Sequence, residues 1–510
     1  MTTTAPIAET STIPSDADAP PTSPAPGDNP PVIGLCVLMV ATIVGLLSVL
    51  LLLAAAQGPF FSTALQAQAI QVAHQAIALA TSALGNSSTA PTPTSAPPTT
   101  PDGTQYLIFN AGEYGDPSLS KGAAAVYADA VYKDVDTKVA DFMSRIGTAG
   151  DGKHKLGFMI ILPVWYWNSG LGGDDGQADA VIGKMFDLAA TRNIAVYFTI
   201  DTNYGETANI YNWWDPSQPG YNPANKSNVE WTDWDGTPTK VRYNLQGSGA
   251  KLPPVMCYNS PAILKESSYI ARSVVAPAIE KGIASLKSVG KENLFAGITL
   301  GLEPSLDDYS VMDQLDPALG KEMDQDGARK VALGYCALTN SGYSKSNPPT
   351  SFSLALAKIN QDYTSYWGKA LVDAGISKNK LYTHVAAGAE GPLLQYTNAP
   401  LDIAFNDYSR PGWTTYAAGP IANNFNVLYD LLAKHGTPHW AATETSPTSV
   451  NGKTLNPETF LAWHFNHGAA VMVINTGDTS AGGQVLARDI WAPRSIAAYK
   501  KFLSGAVLRE

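Results

Sequence analysis

Three observations predict an α/β fold: a (β/α)8 TIM barrel with long insertions in its βα loops. From residue 105 onward, eight short apolar runs alternate with helical patterns, and such alternation implies parallel strands. The runs are near-continuously apolar, as strands covered on both faces are. After the first run, Asn110-Ala111-Gly112-Glu113-Tyr114-Gly115 lacks the spacing of a dinucleotide-binding turn, which disfavours an open doubly wound sheet.

The expected strands are 106–110, 157–163, 194–201, 294–303, 380–386, 401–406, 438–444 and 470–475. The expected helices are 123–145, 178–192, 261–288, 354–374, 421–435, 457–467 and 493–503. The loop after the third strand, 202–260, carries Tyr204, Tyr211, Trp213, Trp214, Tyr221, Trp231, Trp234 and Tyr243. A loop of that length inside a compact domain is usually functional. Aromatic faces interleaved with Asn and Asp match sugar rings, which are apolar on their C–H faces and polar at their edges. The competing reading is that these aromatics pack the loop onto the barrel. Trp165 and Trp167 follow the second expected strand and Trp413 the sixth, on the face where the βα loops converge.

The N-terminal hundred residues have a different composition. Residues 1–31 are rich in Thr, Pro, Ala, Ser and Asp, and cannot bury enough surface to offset ordering entropy. Residues 32–56 form an uncharged run of Leu, Val, Ala and Ile, long enough to span a bilayer as a helix. No basic segment precedes it, and the run is too long for a cleaved leader. A single-pass membrane anchor is expected. Residues 57–85 read as a helical stalk, with Ile70, Ile77 and Leu84 seven apart, a spacing that suits a homo-oligomeric coiled coil. Residues 86–104 are a Pro/Thr/Ser spacer. An anchor followed by a spacer suits a domain, 105–510, held outside the cytoplasm. The first Lys or Arg is Lys121, so charge does not set the orientation.

A net charge of −11 argues against a nucleic-acid partner. Cys257 and Cys336 lie outside the anchor and could be buried thiols or one disulfide. No Cys/His cluster has metal-ligand spacing, and neither metal nor cofactor is expected.

Two stretches carry the chemistry. Phe295-Ala-Gly-Ile-Thr-Leu-Gly-Leu-Glu303-Pro304 and Pro438-His-Trp-Ala-Ala-Thr-Glu444 are apolar runs that end on a carboxylate, 141 residues apart. Pro304 has no N–H to donate and stops the ladder there. Barrel enzymes place their chemistry at the carboxyl ends of strands. A pair of carboxylates is the minimal equipment for cleaving a glycosidic bond: one gives a proton to the leaving oxygen, the other stays ionised. Asp201, Tyr204, Trp213, Trp214, His384, Asn406, Asp407, Tyr408 and Asn475 are expected to line the sugar site with Trp165, Trp167 and Trp413. Asp201 and Asp407 are the reserve carboxylates.

A barrel with one Glu ending strand four and another ending strand seven resembles clan A of the glycoside hydrolases. The resemblance covers roughly 105–503 and rests on topology and these two positions. It implies a general acid/base role for Glu303 and a nucleophile role for Glu444 in a retaining mechanism, with an oligosaccharide or polysaccharide substrate. Leu302 stands where the clan usually has an Asn that contacts the sugar 2-hydroxyl. A retaining pair is expected about 5–5.5 Å apart. The rival reading is a non-catalytic carbohydrate-binding or scaffolding barrel in a surface polysaccharide assembly. It expects the two glutamates not to face each other, or the cleft to be closed.

Overall fold

The strands alternate their side chains between two apolar layers. In Gln105–Glu113 (β1), Tyr106 and Ile108 point into a barrel interior shared with Met159, Tyr197, Tyr382 and Val473. Leu107 and Phe109 point outward, into a larger layer beneath the helices. The computed structural model describes residues 103–115, 123–167, 174–203, 214–217, 221–245, 251–386, 396–416, 425–447, 456–476 and 488–510. The expected tail, membrane helix, stalk and all but the last two residues of the spacer lie outside the described residues, as do Tyr204 and Trp213. Among the described residues, no helix is long and apolar enough to cross a membrane.

The remaining strands are His154–Pro163 (β2), Ala195–Asp201 (β3), the short pair Arg242–Tyr243 (β4) and Lys251–Leu252 (β5), Phe295–Leu300 (β6), Leu381–Thr383 (β7), Val385–Ala386 (β8), Gly412–Thr414 (β9), Trp440–Thr445 (β10) and Ala469–Ile474 (β11). β4 and β5 form a separate antiparallel ribbon in the insertion after β3. The others make one parallel sheet in the order β7-β6-β3-β2-β1-β11-β10-β9-β8. Its two ends, β7 and β8, are halves of one stretch of chain, interrupted only at His384. The first half pairs with β6 and the second with β9. Leu381 O and Thr383 N bond Arg410, just before β9, at 2.8 and 3.0 Å. The sheet therefore closes on itself as an α/β barrel of eight parallel strands.

The helices are Ala124–Ile146 (α1), Gly176–Arg192 (α2), Pro261–Tyr269 (α3), Ala276–Ser288 (α4), Met312–Leu315 (α5), Pro317–Gln325 (α6), Tyr335–Asn340 (α7), Phe352–Asp373 (α8), Asn426–Lys434 (α9), Pro457–Phe465 (α10) and Pro493–Leu503 (α11). Between α3 and α4 the chain stays helical through a π segment, Ile270–Val275. Pro277 explains it: a proline lacks the N–H and crowds the carbonyl four residues back, and a wider turn relieves both. On α4, Gly282 lies against the ring of Phe186 on α2, where an added Cβ would meet ring carbons at 2.0–2.4 Å. Gly282→Ala is expected to cost about 1–3 kcal/mol by overpacking, against the usual helix-propensity gain. Urea unfolding of the two proteins checks this.

One strand differs from expectation. Residues 401–406 are not the sixth strand; Leu401–Ala404 is a 3-10 turn, and the strand is β9. A barrel strand must be covered on both faces. Gly412, Trp413 and Thr414 are all buried, whereas Leu401 and Asp402 are not. The apolar spacing of Leu401, Ile403 and Phe405 imitates a strand but serves to cap Trp413, whose Nε1 donates to Leu401 O at 3.0 Å.

A second insertion, between β6 and α8, carries α5 to α7 and packs against the first one. Their shared core is aromatic: Tyr243 meets Tyr309 edge-on at 6.2 Å, and Trp234 meets Tyr335 edge-on at 5.0 Å. Cys257 and Cys336 are free buried thiols. Asn340 Nδ2 lies 3.4 and 4.0 Å from their sulfurs. Beside them Glu230 is fully buried and accepts from the backbone N–H groups of Cys336 and Ala337 at 3.2 and 3.3 Å. Burial pushes Glu230 up to about 8 and Asp307 up to about 6. Both values exceed those of an unfolded chain, so the native state binds more protons across this range. Stability is therefore expected to fall as pH rises from about 5 through 8. Urea midpoints at pH 5, 7 and 9 measure the fall, and Glu230→Gln should flatten its upper part.

Candidate active site

β6 ends at Leu300, and the next three residues turn sharply. Gly301 has φ 83° and Glu303 φ 49°. A Cβ at Gly301 would lie 2.9 Å from Thr202 Oγ1, so glycine is required by both space and conformation. Glu303 has a left-handed backbone without being glycine, a conformation that costs of order 1–3 kcal/mol and persists only when its surroundings impose it. They do: Gly301 N donates to Ile200 O at 2.9 Å, Asn203 Nδ2 donates to Leu302 O, and Pro304 follows. The turn aims the Glu303 side chain over the end of the barrel.

Glu444 lies within β10, next to the strand's last residue. The two carboxylates meet at one imidazole. His384 Nε2 is 3.7 Å from Glu303 Oε1 and 3.8 Å from Glu444 Oε2. Laid end to end, those distances limit the two oxygens to about 7.5 Å apart. That admits the retaining spacing. The side chains remain 18% and 30% exposed. The scaffolding reading expected the two glutamates not to face each other, or a closed cleft.

The two glutamates have different surroundings. Thr414 Oγ1 is hydrogen-bonded to Glu303 Oε1. Burial first, and the Glu444 charge second, raise Glu303 to about 8. Glu444 Oε1 accepts from the Tyr416 hydroxyl and from Asn475 Nδ2, the latter at 3.1 Å. Asn475 Nδ2 also donates to Tyr416 at 2.8 Å. Burial and the neighbouring carboxylate hold Tyr416 well above the usual phenol range, so it stays a donor. Two donors on one oxygen complement a negative charge there.

Beside Glu444 lies a cavity of about 50 Å³, lined by Asn110, Thr199, Leu302, His384, Glu444 and Asn475 among others. It has room for a water molecule or two but not for a sugar ring. A larger ligand would have to sit outside it. A wider concavity of about 460 Å³ lies on the first insertion, between Lys226, Trp231, Trp234 and Asp235. It holds one carboxylate, not a pair, so size does not place the chemistry there.

Several expected lining residues are elsewhere. Trp165 and Trp167 are 1% and 0% exposed, in a 3-10 turn beneath α2, and Trp165 Nε1 donates to Thr202 O at 3.1 Å. Trp413 is 0% exposed, between Trp440 and Phe405. These indoles are core, not sugar platforms. Trp413→Ala should accordingly cost about 3–5 kcal/mol in urea unfolding, where a sugar platform would instead cost affinity at unchanged stability. Trp214 is half-buried and packs against the core. Asn406, Asp407 and Tyr408 precede β9, at the opposite end of that strand from Thr414, because the strand itself was placed too early. Asn406 Oδ1 caps the turn there, accepting from the N–H groups of Tyr408 and Ser409. Asp407 is therefore no reserve carboxylate. Asp201 is 2% exposed and accepts from Asn203 N at 2.9 Å, which shapes the β3 turn that braces Leu302. His384 is 1% exposed and contacts protein groups from below the cleft. Asn475 stands against Glu444.

Thr414 and Tyr416 were not expected at the site. Both follow from the strand-end rule once β9 is placed at 412–414; the misplaced sixth strand concealed them.

No family model matches the sequence, and no curated protein matches it. The barrel is structurally similar to glycoside hydrolase barrels at low identity. The PgaB (BpsB) glycoside hydrolase domain from Bordetella bronchiseptica is 12% identical, with 79% of this chain and 99% of that one covered and a TM-score of 0.39. The catalytic domain of a beta-amylase from Paenibacillus polymyxa is 9% identical, with 78% and 98% covered and a TM-score of 0.39. A broad-specificity endoglucanase from an uncultured bacterium is 10% identical, with 77% and 93% covered and a TM-score of 0.38. Likeness at this level adds nothing to the roles of single residues.

Proposed function

We propose that the chain is a membrane-anchored retaining glycoside hydrolase acting on an oligosaccharide or polysaccharide. The observation that carries this is the pair itself: two glutamates converge on one imidazole, Glu303 where burial raises its proton affinity and Glu444 among donors. Glu303 gives its proton to the glycosidic oxygen as that bond breaks. Glu444 Oε1 is engaged by Tyr416 and Asn475, so Oε2 forms the bond to the anomeric carbon. Glu303, now ionised, takes a proton from water, and the resulting hydroxide displaces Glu444 from the sugar. The proton ends on Glu303 and both carboxyl groups return to their starting states.

The raised proton affinity of Glu303 supports the order of these roles, because a general acid must be charged with its proton near neutral pH. The decisive experiment screens the fragment from Gln105 onward against a panel of polysaccharides, reading new reducing ends. Release of sugar by the wild type and not by the Glu303→Gln, Glu444→Gln double variant supports the reading; no release across the panel counts against it. On the same reading residues 32–56 anchor the barrel and 86–104 hold it off the membrane. The full chain should then sediment with membranes after alkaline washing, and a chain lacking residues 1–85 should not.

A further inference from the structure

His384 occupies the residue at which one barrel strand changes partners, between β7 and β8. Its ring is 1% exposed. Nδ1 lies 3.2 Å from Gly301 O, in the turn that carries Glu303. Nε2 lies 2.9 Å from Thr414 Oγ1, and that hydroxyl is hydrogen-bonded to Glu303 Oε1. Gly301 O, His384, Thr414 and Glu303 thus form one chain of hydrogen bonds.

The hydrogens in that chain can be assigned by elimination. A carbonyl oxygen only accepts, so Nδ1 carries a hydrogen. Burial disfavours the charged ring, and in the neutral ring with its hydrogen on Nδ1, Nε2 is an acceptor. The single hydroxyl hydrogen of Thr414 can then go to Nε2. Toward Glu303 the Thr414 oxygen then accepts only if the carboxyl group carries the hydrogen; with Glu303 ionised, Thr414 Oγ1 instead donates to Glu303 Oε1. Were Glu303 ionised, Thr414 would have to turn its hydrogen away from Nε2, leaving a buried acceptor facing a lone pair.

We propose that His384, acting through Thr414, is a positioning pair that keeps the proton on Glu303 between turnovers. The proposal rests on the hydrolase reading for its purpose but not for its test. It also accounts for the ring's place midway between the two glutamates. When Glu303 gives up its proton, Glu444 becomes an ester and loses its charge. The ring therefore faces one negative charge before and after the step and has no reason to change its own protonation. Among the described residues, the titratable groups facing Glu303 include Glu444, His384 and Tyr416.

The test titrates Glu303 directly in the full chain, by carbon NMR of protein labelled at the glutamate carboxyl, with the Glu303 signal assigned by its absence in Glu303→Gln. Thr414→Val keeps the side-chain outline and removes the hydroxyl. The Glu303 midpoint is expected to fall by about one unit, a tenfold loss of proton affinity. His384→Phe, which frees Thr414 to donate to the carboxylate, should lower it likewise, and Thr414→Ser should leave it in place. An unchanged or raised midpoint in Thr414→Val would overturn the proposal, because a hydroxyl that merely donates to an ionised Glu303 has the opposite effect. The Thr414→Ser control separates hydrogen bonding from repacking. No glycoside enters the measurement, so failure of the polysaccharide screen and failure of this titration are separate results.

Discussion

Glu444→Ala is expected to lower turnover at least about a thousandfold, since loss of a covalent nucleophile removes the reaction path itself. Binding should change far less, because the substrate is held by the rest of the cleft. Azide is small enough to enter the space left by the carboxylate. Added azide should restore turnover and yield a glycosyl azide of inverted anomeric configuration. The stereochemistry is read on the wild type, whose first-formed sugar should keep the anomeric configuration of the substrate. Wild-type turnover in the alanine variant would remove Glu444 from the mechanism. The structure gives a reason to expect a clean result. Tyr416 and Asn475 bond one another at 2.8 Å as well as bonding Glu444, so they keep a partner after the carboxylate is gone.

For Glu303→Gln the expected loss is about 10²–10⁴ in kcat/KM on substrates with poor leaving groups. It should nearly vanish on aryl glycosides in the bond-breaking step, where the departing phenolate needs no proton. The pH profile carries the stronger signature. Burial and the Glu444 charge set Glu303 at about 8. Activity of the wild type should therefore decline as pH rises through about 8, where the general acid loses its proton. In the glutamine variant that decline should be missing from whatever activity remains. The same group contributes to stability with the same sign as Glu230: its folded value lies above its unfolded one, so its stabilising effect is present in acid and is lost as pH rises through the folded value. Glu303→Gln is thus expected to make the protein more resistant to unfolding at pH 9 while disabling it, the exchange anticipated for a strained and buried acid.

The alternation of apolar runs and helical patterns determined the barrel, because burial on both faces leaves the same mark on a strand wherever its partners lie. It also determined Glu303 and Glu444 as candidates, since each follows or ends such a run. The sixth strand was not legible. Leu401, Ile403 and Phe405 carry the period of a strand, and only competition for the neighbours of β8 and β10 shows that Gly412–Thr414 wins. Thr414 and Tyr416 were hidden by that one error. The tryptophans were misread for a related reason: an indole after a strand looks alike in sequence whether its face meets solvent or, as with Trp165 and Trp413, the core. Sequence period reports which residues are buried against something. It does not report against what, and the meeting of two glutamates at His384 Nε2 is set by ring closure between segments 60 to 141 residues apart, which only the folded barrel decides.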